Sequence, residues 1–241
     1  MKMTKYKILA IIPARSGSKR ILNKNTRNFL GKPLIAYTIE QALKCPIADR
    51  VIVDTDSLEI AEIARRYGAE VPFLRPKNLA TDKAKIAGSI INLLRRLKKE
   101  ENYSPEYIMI LQTTSPLREL KDIEDCRNLM KKTDATTVLT VCPTHPRLYY
   151  MDKNQNIILV NGSEKQSTNI QQWRSAYILN GCVYIVKTSA FLKEKEIITK
   201  NTKAVICEKW RSVDLDNPED WVLAELLYKN KKAIKNKINK T

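Results

Sequence analysis

"YKILAIIPARSGSKR" (residues 6–20) sets two opposite textures side by side. Up to Pro13 it is a continuous apolar run of strand length, which suits a strand buried on both faces of a parallel sheet. Beyond Pro13 come Arg15, Lys19 and Arg20, interleaved with Ser16, Gly17 and Ser18, and Lys24 and Asn25 follow closely. Three readings are open: a targeting leader, a patch for nucleic acid, or a loop that holds phosphates. The apolar run is short, contains Pro13 and continues into further cations, so secretion is set aside.

Downstream of this loop, strand-like and helix-like segments alternate. "KPLIAYTIEQALK" places Pro33 at a first helical position, with apolar residues after it at helical spacing. "RVIVDTD" reads as a second strand. "DSLEIAEIARRYGAE" reads as a helix with an Asp56–Glu59 capping box and Gly68 as its stop. "AKIAGSIINLLRRLKK" and "LKDIEDCRNLMKK" are further helices, and "EYIMILQ" and "ATTVLTVC" further strands. This alternation predicts βαβ units and an α/β fold with a mainly parallel central sheet flanked by helices. Ligands of such sheets gather at the carboxyl ends of the strands, where the cationic loop lies.

Residues 143–180 break the rhythm; they are polar, carry aromatic residues and read as hairpins. They are expected to form a small β-rich arm inserted in a single domain spanning 1–241. "GCVYIVKTSAFL" and "KAVICEK" return strands to the sheet. "DNPEDWVLAELLYKN" closes with a helix capped by Asn217, with Pro218 at its first position.

With 241 residues, 43% of them hydrophobic, the chain can bury a substantial core. No apolar run approaches the roughly 20 residues that span a bilayer. Five scattered cysteines without a C-x-x-C pair argue against a disulfide framework or a zinc site and fit a reducing cytoplasm. The net charge is +17; the tail "KNKKAIKNKINKT" (229–241) contributes six lysines and no acid, leaving +11 for the rest. Such charge permits nucleic-acid or polyphosphate partners. For the tail itself the plainer expectation is a frayed, solvated end.

In the opening loop, Gly17 lets the backbone turn closely, and small Ser16 and Ser18 leave their N–H groups free to face an anion. Arg15 and Lys19 can add charge-assisted hydrogen bonds to phosphate oxygens. Neither G-x-x-x-x-G-K-[ST] nor G-x-G-x-x-G occurs, so charge alone leaves phosphate and nucleic acid both open. A basic nucleic-acid-binding protein is the rival from another class. Against it, the cations cluster at a strand-to-helix loop instead of forming a stripe. Two carboxylate pairs stand out, Asp214 with Asp216 in "VDLD" and Asp54 with Asp56 in "VDTD". Mg²⁺ takes oxygen ligands and is usually shared between one or two carboxylates and substrate phosphates. Either pair could also be plain turn or cap chemistry, and Asp56, already assigned to a cap, ranks its pair second. His145, the sole histidine, reads as a loop residue. Tyr149, Tyr150, Trp173 and Tyr177 read as arm contacts rather than a base-stacking platform.

The segments "IIPARSGSKR", "FLGKPLIAYTI", "VIVDTDSLEIAEIARRYGAEVPFLRP", "ILQTTSPLR" and "SVDLDNPED", in that order, closely resemble the acylneuraminate (CMP-sialic acid) synthetase family. These are cytidylyltransferases that activate nine-carbon α-keto acid sugars, and the likeness runs from about residue 7 to 228. It implies a Rossmann-like nucleotidyltransferase fold, a dimerisation role for the arm and a homodimer. It further implies CTP as substrate, Mg²⁺ as cofactor and release of pyrophosphate. On the matching positions, Arg15, Ser18, Lys19, Lys24 and Asn25 form the element for CTP phosphates and cytidine, with Arg15 and Lys24 on the triphosphate. Arg75, in "FLRP", matches a nucleotide-site arginine, Gln112 a glutamine that contacts the sugar, and Asp214 and Asp216 the Mg²⁺ carboxylates. Arg15, Lys19, Lys24, Asp214 and Asp216 are thus the expected catalytic set. One departure stands out. Sialic-acid-specific members carry arginines in the arm where this chain has Ile170 and Ile178. That favours a relative such as legionaminic or pseudaminic acid as acceptor. A cytidylyltransferase for 3-deoxy-manno-octulosonate is the nearer rival, ranked lower because its family usually opens with a different loop.

Overall fold

The computed structural model describes residues 7–160 and 174–240. β1 (Ile8–Pro13) leads into the cationic loop and then a small hairpin, β2 (Asn28–Phe29) with β3 (Lys32–Pro33), before α1 (Leu34–Leu43). β4 (Arg50–Asp54), α2 (Leu58–Arg66), α3 (Ile86–Glu101), β5 (Tyr107–Ile110), α4 (Leu120–Lys132) and β6 (Thr137–Thr144) continue the alternation. A second hairpin, β7 (Tyr149–Met151) with β8 (Ile157–Leu159), precedes β9 (Ala176–Lys187). α5 (Thr188–Glu194), β10 (Thr202–Ile206) and α6 (Pro218–Ile238) complete the described chain.

Six strands form the central sheet in the order β10-β6-β9-β5-β1-β4. β1 lies parallel to β4 and β5, and β10 parallel to β6, while β9 runs antiparallel to both its neighbours. The expected mainly parallel α/β sheet is therefore present, with β9 as its reversed strand. Successive side chains of a strand point to opposite faces, and β1 uses both. Ile8, Ala10 and Ile12 pack with Ile39 of α1, Ile60 of α2 and Ile123 of α4. Leu9 and Ile11 pack on the other side with Ile90 and Leu94 of α3 and Phe191 of α5. A smaller third cluster, Ile21, Phe29, Tyr37, Leu215 and Trp221, sits beside the cationic loop. There the Phe29 ring meets Tyr37, Trp221 and Tyr228 edge-on at 5.2, 5.4 and 5.8 Å, the geometry that aromatic quadrupoles favour.

Several local expectations change. The α2 cap is Ser57, whose hydroxyl accepts from the Ile60 N–H, and not Asp56. The Asp56 carboxylate is drawn away by Ser16, accepting from its N–H at 2.9 Å and its hydroxyl at 2.7 Å. Pro33 caps α1 from outside instead of occupying its first turn. Gly68 ends α2 as expected, at φ +91°. α6 starts at Pro218 behind an Asn217–Asp220 capping box and continues to Ile238, so the tail expected to fray is largely helical. Lys235 there reaches Glu119 at 2.9 Å, and Lys231 covers the Tyr228 ring at 4.3 Å. β6 extends to Thr144 and β9 begins at Ala176, so their pairing carries the central sheet into the segment 143–180, of which 161–173 lie outside the described residues. The five cysteines are free and buried. Among the described residues no helix is long and apolar enough to cross a membrane.

One buried ion pair ties the last third of the chain to α4. Arg211 and Asp122 are 5% and 2% exposed. The Arg211 guanidinium donates to Asp122 Oδ1 at 2.7 Å, and Asp122 Oδ2 accepts the Glu119 N–H at 2.9 Å, capping α4. Removing one partner of such a pair strands the other charge in the interior. Arg211→Met is therefore expected to lose about 3–5 kcal/mol of stability in urea unfolding. A loss of about 1 kcal/mol or less, typical of exposed pairs, would contradict this assignment.

Candidate functional site

The cationic loop is fastened on several sides. Ala14 N–H donates to the Asp54 carbonyl at 3.0 Å, extending the register of β1 with β4. Ser16 is held by Asp56 as described. Asn25 is buried: its Nδ2 donates to the Arg15 carbonyl at 3.0 Å, and its Oδ1 accepts from the Thr113 hydroxyl at 2.7 Å. Its carbonyl also accepts the Ile35 N–H at 3.0 Å, so one residue joins the loop, the end of β5 and the start of α1.

A cavity of about 630 Å³ opens where β1 and β5 end, within the size range of small-ligand sites. Arg15, Ser18, Lys19, Lys24, Asn25 and Asp216 line it, bringing together six of the expected residues. Arg20, Asp82, Thr113 and Thr114 complete its polar wall. Arg15 and Lys19 both pair with Asp82, at 2.6 and 2.5 Å, and Arg20 pairs with Asp216 at 3.2 Å. Lys24 Nζ donates to the Leu215 carbonyl at 2.6 Å, between the two aspartates. Burial pushes the Lys24 ammonium below the usual lysine range, with Asp216 and Asp214 opposing that shift. Burial likewise pushes the Asp214 carboxyl up, against a hydrogen bond from Thr114 and with Asp216 adding to the rise. Asp214 Oδ1 is a buried oxygen without a hydrogen-bond partner. Burial thus disfavours the charged form of both Lys24 and Asp214, and each charge partly supports the other.

The other expected residues lie outside this cavity's lining. Arg75 is buried at the end of β4, donating to the Asp54 carbonyl at 2.7 Å and pairing with Asp54 Oδ2 at 2.8 Å. Asp54 and Asp56, the second-ranked metal pair, are thus engaged by Arg75 and Ser16. Gln112 follows β5, and its side chain lies against Gly181, where a Cβ would come within 3.0 Å of its Oε1. Arg118, in "SPLR", is buried and points inward. It donates to the carbonyls of Gln112 and of Cys182, the latter at 2.6 Å, and to Gln41 Oε1 at 3.1 Å. Burial lowers its pKa to about 10. His145 Nδ1 accepts the Arg147 N–H at 3.1 Å, a loop contact. Ile178 and Tyr177 lie exposed on the outer half of β9, while Ile170 and Trp173 fall outside the described residues.

Asp82, Arg20, Thr113 and Thr114 were missed from sequence as site residues. The threonines stand inside "ILQTTSPLR", next to Gln112, and could have been found by continuing past the strand end. Asp82 lies 67 residues from Arg15, and no local pattern joins them.

A family model described as cytidylyltransferase matches residues 9–232. The chain is 35% identical to the CMP-N,N'-diacetyllegionaminic acid synthase of Legionella pneumophila, across 92% of this chain and 96% of that protein. It is also 35% identical to a pseudaminic acid cytidylyltransferase of Campylobacter jejuni, across 92% of this chain and 97% of that one. Its structure resembles that of a CMP:2-keto-3-deoxy-manno-octonic acid synthetase complexed with CTP, with a TM-score of 0.71 over 93% of this chain and 99% of that one. At 14% identity that likeness speaks for the fold alone. The cationic loop lies at the carboxyl end of β1 and the family match runs through almost every element: the chain belongs to the cytidylyltransferase family.

Proposed function

We propose that this protein transfers CMP from CTP to the anomeric hydroxyl of a nine-carbon α-keto acid sugar, releasing pyrophosphate. The observation that carries this reading is the convergence of Arg15, Lys19, Arg20 and Lys24 with Asp216 on one cavity at the strand ends. The sugar hydroxyl attacks the α-phosphorus, and the bond from that phosphorus to the bridging oxygen breaks. Such a step needs alignment and charge neutralisation more than a protein nucleophile. Arg15, Lys19 and Lys24 hold the triphosphate and offset the charge that grows on pyrophosphate. Asn25 keeps the loop in the shape that presents them, and Ser18 offers its hydroxyl to a phosphate oxygen, because its N–H, expected to be free, already donates to the Ser16 carbonyl at 2.9 Å. Arg75 is assigned to the nucleotide site by its matching motif, although it stands outside the cavity's lining and is paired with Asp54.

The donor set fits Mg²⁺. Asp214 and Asp216 would hold it, and the buried, unpartnered Oδ1 of Asp214 is the kind of atom a cation completes. Among the described residues no group of three or more His, Cys, Asp or Glu could form a cage by itself. Mg²⁺ characteristically takes one or two carboxylates and fills the remainder with phosphate and water. When bound it supplies positive charge to the phosphate oxygens. Pyrophosphate release should therefore require CTP and stop with EDTA. Asp214→Asn should lower kcat by about 10²–10³-fold, the usual cost of deleting one charge-stabilising group. Failure to turn over any member of a panel of nine-carbon keto acids would overturn the enzyme reading for these sugars.

For the acceptor, the relatives named for legionaminic and pseudaminic acids and the uncharged Ile178 support a sugar of that group over sialic acid. Gln112 is its contact, and Gly181 sets where Gln112 stands. Gly181 is at φ +69°, and an added methyl would press on Gln112 Oε1 at 3.0 Å and Ser115 Oγ at 3.3 Å. Gly181→Ala should raise KM for the sugar several-fold while leaving KM for CTP near its original value. An equal rise in both would count against this placement.

The arm supports a homodimer. Tyr150, Met151 and Ile157 on the β7–β8 hairpin are 63%, 70% and 64% exposed, an apolar surface of the kind that marks an interface. Tyr150 and Ile158 are cross-strand partners. A Tyr150→Asp, Ile158→Asp double variant is expected to sediment as a single chain where the unmodified protein sediments as two.

A further inference from the structure

We propose that Asp82 is a built-in competitor for the phosphate site, holding Arg15 and Lys19 until the phosphates of the nucleotide displace it. The proposal rests on the reading that this cavity receives the triphosphate.

Asp82 lies in the segment between the short turn Lys77–Leu79 and α3. Its side chain is 42% exposed and lines the cavity itself. Its two oxygens are divided between the two cations: Oδ1 lies 2.6 Å from Arg15 Nη1, and Oδ2 lies 2.5 Å from Lys19 Nζ. A carboxylate presenting two oxygens to a guanidinium and an ammonium reproduces one edge of a phosphate. Lys19 and then Arg15 hold its carboxyl below the usual range, as they would hold a bound phosphate ionised. The match is incomplete in charge. One negative charge shared by two cations leaves a surplus of positive charge, and around the opening four cations, Arg15, Lys19, Arg20 and Lys24, face three carboxylates, Asp82, Asp214 and Asp216. An anion bearing several charges can therefore outcompete Asp82, whereas a singly charged one gains little by exchange.

The arrangement has two effects. The repelling cations are kept together in binding geometry while no nucleotide is present. The nucleotide, on arrival, must break two ion pairs that the protein has already made. Loss of the Asp82 charge should thus tighten phosphate binding, the opposite of what damage to a binding residue does.

The test uses the full chain and inorganic tripolyphosphate without metal, followed by titration calorimetry. Asp82→Asn is expected to bind the probe about three- to tenfold tighter, in line with the modest worth of exposed ion pairs. Asp82→Glu, which restores a carboxylate, should return affinity towards that of the unmodified protein. Equal or weaker binding by a folded Asp82→Asn protein, with the unmodified protein binding normally, overturns the competitor role and leaves the proposed function standing. Failure of both proteins to bind tripolyphosphate overturns the competitor role and the placing of the triphosphate on Arg15 and Lys19.

Discussion

Burial of Ile21 and Leu215 in one aromatic-walled cluster brings together segments that lie far apart along the chain. Ile21 sits between the cations Arg20 and Lys24, and Leu215 between Asp214 and Asp216, and both are almost fully buried. Leu215 is also gripped by its backbone: its N–H donates to the Thr114 carbonyl at 3.0 Å, and its carbonyl accepts from Lys24. Fully burying an aliphatic side chain contributes about 1.5–3 kcal/mol. Repulsion between two like charges about 4 Å apart in water is near 1 kcal/mol. Burying these two side chains thus offsets the repulsion of several such pairs, and Asp82 and Asp216 reduce what remains.

β9 connects this centre to the arm. Its first residues pair with β6 at the exposed end, and its last are buried between β5 and β6. Gly181 lies at the change from one regime to the other, against Gln112. Arg118 fastens the same place from beneath by taking the carbonyls of both Gln112 and Cys182. A strand that slipped by one residue would turn Val183 and Ile185 to the wrong face, so the arm's position is set by the core.

Much of this was legible before any coordinates. The apolar run of β1, the helix patterns and the Asn217–Pro218 start of α6 follow from periodicity and capping chemistry. So does the placing of the cationic loop at a strand end. Errors came where a side chain had a better partner elsewhere. Asp56 was read as a helix cap from its spacing to Glu59, yet Ser16 from a neighbouring loop claims it. The lysine-rich tail was read as frayed from its charge, yet Glu119 and the Tyr228 ring give Lys235 and Lys231 tertiary partners. Arg118 drew no sequence reading at all, and its burial rests on the carbonyls of Gln112 and Cys182 that take its guanidinium. Partners of Asp82 could not be seen because ion pairing across separate loops leaves no period in the sequence.

The separation between Lys24 and the Leu215 carbonyl is 191 residues. Ribosomes add about 5–20 residues per second, so roughly 10–40 s pass between synthesis of the cationic loop and synthesis of the segment that completes it. β1, β4 and β5 can pair during that interval, but the surface meant for Phe29, Leu215 and Trp221 stays half-built. The growing chain therefore carries an exposed aromatic patch beside a concentrated positive charge, which Asp82 moderates. A nascent protein in that condition is a target for chaperones and for stray polyanions, and its vulnerability ends when α6 arrives.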